Sequence, residues 1–120
     1  MAFDMRQLQR IAHRLREASG YLELGMAQHA LDRLEDLGEL GPFEGEVSLL
    51  RGEAYGAQER FAEAAASFKT AARLLPPPFR QPAFLALSMV YQEAGDTARA
   101  SRALAHARGA GFIRRPKKSK

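Results

Sequence analysis

Residues 52–76 read GEAYGAQERFAEAAASFKTAARLLP, and the interpretation of this stretch decides the fold. It is rich in alanine, with Thr70 its one β-branched residue, a composition that favours helix over strand. Ala64, Phe68, Ala71 and Leu75 recur three or four residues apart, which puts them on one side of a helix over 61–75. Pro76-Pro77-Pro78 ends that helix, because proline lacks an amide donor and constrains the residue before it. Just upstream, Val47, Leu50 and Ala54 form a similar stripe on a helix over 45–57. The stretch therefore belongs to a pair of helices joined by a short turn.

Working outward, the same unit recurs on both sides. Towards the N-terminus, Asp4 caps a first helix over 5–24, whose apolar positions are Met5, Leu8, Ala12, Leu15, Ala18 and Leu22. Gly25 breaks it. A second helix over 27–37 carries Ala30, Leu34 and Leu37, and Gly38 and Gly41-Pro42 stop it. Towards the C-terminus, Pro82 suits the first turn of a fifth helix reaching about residue 94. Gly95-Asp96 precedes a sixth over 97–108, closed by Gly109 and Gly111. The expected organisation is one domain over 1–113 and a basic, disordered tail over 114–120.

The period carries more information than the helices. Tyr21, Tyr55 and Tyr91 stand near the ends of the three first helices, 34 and 36 residues apart. Ala30, Ala64 and Ala100 each follow nine residues later, then Leu34, Phe68 and Leu104, then Leu37, Ala71 and Ala107. Pro42 and Pro76 close the first two units. With Phe84-x2-Leu87-Ser88-x2-Tyr91 and Ala100-x3-Leu104 in the third unit, and Gly52-x2-Tyr55, Ala64-x3-Phe68 and Pro76 in the second, the chain resembles the tetratricopeptide repeat family over roughly residues 11–110. The first unit departs from the pattern, with Glu17 and Ala18 where leucine and glycine are usual. The resemblance implies an all-α, right-handed superhelical stack of three helix-turn-helix repeats (8–42, 43–78 and 79–111), six helices in all. The small residues Gly52 and Ser88 let paired helices approach, and stacking buries faces that one pair could not cover alone.

In such a stack the first helix of each pair lines a concave groove. By resemblance that groove presents Leu15, Ser19, Leu22, Glu23, Leu49, Glu53, Leu85, Met89, Gln92 and Glu93. The fifth helix is apolar nearly all round from Ala83 to Tyr91, which requires cover on more than one side. Either a partner supplies that cover, or the chain does, with Phe112 and Ile113 folding back. Family members that grip chaperone C-termini use a Lys/Asn/Arg clamp; the matching places here hold Leu15, Ser19, Leu50, Pro82 and Ala86, so no such clamp is expected.

Composition narrows the function classes. Hydrophobic residues make up 46% and charged residues 27% of 120, ordinary for a folded domain, and cysteine is absent, so disulfide and thiolate chemistry are excluded. The net charge of +4 is unevenly spread. Residues 1–60 hold seven Lys/Arg against eleven Asp/Glu, while residues 61–120 hold eleven against three, five of those cations lying in 114–120. A basic tail is weak support for nucleic acid, which needs several phosphate contacts from a folded face. Arg99, Arg102, His106 and Arg108 make the sixth helix basic, which suits a solvated end of a stack. His13, His29 and His106 lie on separate helices, no nucleophile motif or phosphate loop occurs, and Glu23, Glu53 and Glu93 read as groove edges instead of metal ligands. No apolar run spans a membrane and no secretory leader opens the sequence. The expectation is a cytoplasmic, non-catalytic module without cofactor or metal, holding a peptide or amphipathic helix of another protein. The alternatives are a self-assembling scaffold and a small chaperone for an export substrate.

Overall fold

The computed structural model describes residues 4–110. Within them the chain forms six helices and no strand: α1 (Met5–Glu23), α2 (Ala27–Arg33), α3 (Glu44–Ala57), α4 (Phe61–Leu74), α5 (Pro77–Glu93) and α6 (Thr97–Ala110). A single 3-10 turn, Gly41–Phe43, leads into α3. The expected helix stop at Gly111, the proposed cover from Phe112 and Ile113, and the basic tail over 114–120 lie outside the described residues.

Helices pack mainly as consecutive hairpins, α1 on α2, α3 on α4 and α5 on α6. Each hairpin meets the next through its second helix (α2 on α3, α4 on α5), and the first helices α1, α3 and α5 touch in series. This order is compatible with a repeat stack. The radius of gyration is 15.8 Å, against roughly 13 Å for a compact domain of about 100 residues, so the molecule is elongated, 56 Å in its longest dimension.

The three intrahairpin turns are chemically the same. Past each tyrosine the helix ends in a left-handed residue: Gly25 (φ 74°), Glu59 (φ 58°) and Gly95 (φ 83°). The next amides, of Met26, Arg60 and Asp96, donate back to the carbonyls of Tyr21, Tyr55 and Tyr91 at 2.8, 2.9 and 2.8 Å. Those are Schellman closures, which satisfy carbonyls the helix leaves over. Ala30, Ala64 and Ala100 then make the first backbone bonds of the following helices, to Met26, Arg60 and Asp96. The tyrosine-to-alanine spacing is thus set by one turn used three times.

The core runs along the stack in three buried clusters. Ile11, Ala18, Leu34 and Val47 are among the residues of the first, Phe68, Leu87 and Val90 of the second, and Ala71, Leu75 and Ala83 of the third. Tyr55 packs against the first and second, and Leu49 against the second and third, which makes the spine continuous. A Cβ built at Gly52 would lie 2.6 Å from the Phe68 ring, so the α3–α4 approach depends on the missing side chain.

Three sequence expectations need correction. The second helix stops at Arg33, not Leu37: the Leu34 and Glu35 amides donate three residues back, to Leu31 and Asp32, and Asp36 then turns left-handed (φ 55°); Leu34 and Leu37 are buried all the same, from a non-helical segment. The fifth helix begins at Pro77, so Pro77 and Pro78, not Pro82, occupy its first turn, where a missing donor costs nothing; Pro82 sits inside and exposed. On α1 the buried residue is Ile11 beside the expected Ala12, and Met5 is exposed.

Candidate functional site

α5 carries two exposed apolar side chains on one face. Met89 is 65% exposed and Leu85 41%, four residues apart on successive turns, while Leu87 and Val90 between and beyond them are buried. The helix therefore sends one apolar row into the core and leaves a second uncovered by the described residues. Across from Met89, α3 contributes Gly52 and Gly56, also four apart. The Phe68 ring fills the space at Gly52, but Gly56 presents no side chain towards Val90, and a cleft of about 310 Å³ opens there between α3 and α5. Its floor and walls include Phe68, Ala86 and Val90, and its rim carries Glu53, Met89 and Glu93.

Two carboxylates at an apolar rim set its electrostatics. Loss of hydration alone pushes the Glu53 carboxyl above its ordinary value; no cation offsets it. Neither Glu53 nor Glu93 joins an ion pair among the described residues. The cleft is thus poised to accept a cationic group beside an apolar one. Among the described residues no three His, Asp or Glu side chains gather in a way that could hold a metal ion, so Glu23, Glu53 and Glu93 do not converge.

Of the ten residues expected in the groove, Glu53, Met89 and Glu93 come together in this cleft, and Leu85 is exposed one turn before Met89. Leu49 is half-buried, shared between two core clusters. Ser19, Glu23 and Gln92 are exposed and stand outside the cleft. Leu22 is half-buried against the first cluster. Leu15 is a correction: at 8% exposure it is a core residue, packed with Ile11 and Ala18, and offers a partner no surface. The expectation missed Gly52, Gly56 and Ala86, which line the cleft, and of these Gly56 and Ala86 leave it open by their small size. The signal was present as Gly56, where the first and third units carry Leu22 and Gln92.

No helix of the described residues is long and apolar enough to cross a membrane. A scan against models of protein families gives no match, and searches among curated proteins and solved structures give none either.

Proposed function

We propose that the chain is a non-catalytic, tetratricopeptide-like interaction module that holds a segment of another protein in the α3–α5 cleft. The observation that carries this is the exposed Leu85–Met89 row ending in a cleft rimmed by Glu53 and Glu93. An amphipathic helix or extended peptide would lay leucine-like side chains along that row and direct a lysine or arginine to the carboxylates. Methionine suits such a surface because its unbranched, polarisable side chain adapts to different partners. A cationic guest would also offset the partial loss of hydration that raises the Glu53 carboxyl. A cytoplasmic adaptor and a chaperone for an export substrate would use the same contacts.

The test is fluorescence anisotropy with a labelled amphipathic Leu/Lys peptide, on wild type and on Leu85→Lys/Met89→Lys, with circular dichroism on both. Retained helicity with lost binding supports the proposal. Equal binding by both proteins sinks it, and loss of helicity would mean the two side chains are core.

A second reading, self-assembly, draws on a separate apolar patch. Leu74 (40% exposed) and Phe79 (62%) flank the exposed Pro76–Pro78 turn at the α4–α5 junction. Light scattering over a concentration series, on wild type and Phe79→Ser, distinguishes it: mass that grows with concentration in wild type alone favours assembly.

A further inference from the structure

The second helices of the last two hairpins build a cleft of opposite sign. Between α4, α5 and α6 lies a hollow of about 230 Å³ lined by Lys69, Arg99, Arg102 and His106 around Phe84 and Tyr91. Arg99, Arg102 and His106 line one face of α6, and the fold brings Lys69 of α4 up beside them. Arg99 is held by Asp96, Nη1 to Oδ2 at 2.6 Å. Lys69 and Arg102 join no ion pair among the described residues. The Lys69 ammonium stands 5.9 Å from the Tyr91 ring centre, and His106 stacks on Phe84 with centroids 5.2 Å apart. The hollow thus joins two unpaired cations to aromatic walls.

We infer that this hollow binds an acidic segment of a partner protein, with a glutamate or aspartate carboxylate between Lys69 and Arg102 and its methylene stem against Phe84 and Tyr91. Size supports a side chain as occupant, since small-molecule sites usually run from about 300 to 1,000 Å³. Charge count supports a carboxylate: two unpaired cations match one or two such groups, whereas nucleic acid binding draws on roughly six to ten phosphate contacts. The chain's own residues 114–120, with five cations, carry the wrong sign to fill it. The site shares no residue with the α3–α5 cleft except by lying on the other rows of α5, so the two proposals stand or fall separately.

The experiment is anisotropy titration of the full chain with a fluorescein-labelled oligoglutamate peptide at low and moderate salt, beside a labelled phosphoserine peptide and a single-stranded oligonucleotide. Lys69→Gln/Arg102→Gln is compared with Arg73→Gln/Arg108→Gln, a pair of equal charge change outside the hollow. The expected result is loss of about tenfold in oligoglutamate affinity for the first pair, the equivalent of one charge-assisted hydrogen bond, and less than twofold for the second. Equal losses from both pairs, no binding by wild type at low salt, or tighter binding of the phosphopeptide or oligonucleotide with the same dependence on Lys69 and Arg102 would each overturn the inference.

Discussion

The first and second hairpins solve the same packing problem differently. In the second, two helices of 14 residues each meet where Gly52 admits the Phe68 ring. In the first, Ala18 and Leu34 stand at the matching places, and the second helix is only seven residues long. So short a helix is marginal without help. The help comes from α1 and α3: Arg14 donates to the Arg33 carbonyl at 3.3 Å, Arg51 to Leu34 at 3.0 Å, Arg10 to Asp36 at 2.5 Å, and Gln7 to Leu37 at 2.9 Å. Guanidinium groups at a helix C-terminus both satisfy its carbonyls and oppose its dipole. The second hairpin closes by fit between Gly52 and Phe68, and the first adds hydrogen bonds to backbone to its buried Ile11, Leu31, Leu34 and Leu37. A repeat sequence therefore specifies the turn and the spine, and leaves each unit free to close its outer helix in its own way.

The largest expected effect probes the shape side of that contrast. Gly52→Ala forces a shift of the Phe68 ring and should destabilise by about 1–3 kcal/mol, as overpacked cores do. Phe68→Leu should cost a similar amount through the space it leaves. Combined, they recreate the Ala18/Leu34 pairing of the first hairpin, so the double variant should recover most of the Gly52→Ala loss in urea unfolding. Additive losses would show that the two hairpins are not interchangeable at this position.

Next in size is the hydrogen-bonded side. Arg51→Ala leaves the half-buried Leu34 carbonyl without its donor and should cost about 1–2 kcal/mol. Amide exchange would localise the effect, with protection lost in residues 27–37 and unchanged in α4. Uniform loss across both hairpins would contradict the division drawn here.

A smaller gain tests the shared turn. Glu59 occupies a left-handed position that Gly25 and Gly95 fill in the other hairpins. Glu59→Gly should stabilise by about 0.5–1 kcal/mol, because glycine adopts that conformation without steric cost. Thermal unfolding checks the sign, and Gly95→Glu should shift the midpoint the other way.

The smallest effect concerns the cleft. The Glu53 carboxyl is raised by lost hydration, so the folded chain holds its proton more tightly than the unfolded chain does. Stability therefore falls as pH rises from the ordinary carboxylate value of 4.5 through the raised one, and the penalty persists above it. Glu53→Gln should be slightly more stable than wild type at neutral pH, the two converging below pH 4.5, in urea midpoints taken across pH.

These contrasts explain what the sequence revealed and what it hid. The helix α4 and the start of α6 were legible because apolar spacing, the proline run and Gly95-Asp96 agree on them, whereas Gly109 did not stop α6, which runs on to Ala110. The end of α2 was not legible, since Leu34 and Leu37 keep helical spacing although the backbone has left the helix; burial selects the side chain, not the conformation that delivers it. Leu15 and Leu85 hold the same place in the repeat, yet one is core and the other surface. Periodicity assigns a face, while what covers that face depends on the neighbouring hairpin. Glu53, Met89 and Glu93 could be picked out as groove residues, but the cleft they rim is opened by Gly56, and an absent side chain is hard to see in a pattern of present ones. The basic hollow needs Lys69 and Arg102 from helices more than thirty residues apart, which no local pattern links.

Met89 offers the most direct test of the groove itself. With the methionine methyls labelled by carbon-13, the resonances of Met89, Met26 and Met5 report separately on α5, the first intrahairpin turn and the start of α1. Titration with the amphipathic Leu/Lys peptide should move the Met89 methyl to saturation while leaving Met26 and Met5 in place. Peptide binding that leaves Met89 unmoved would contradict the account.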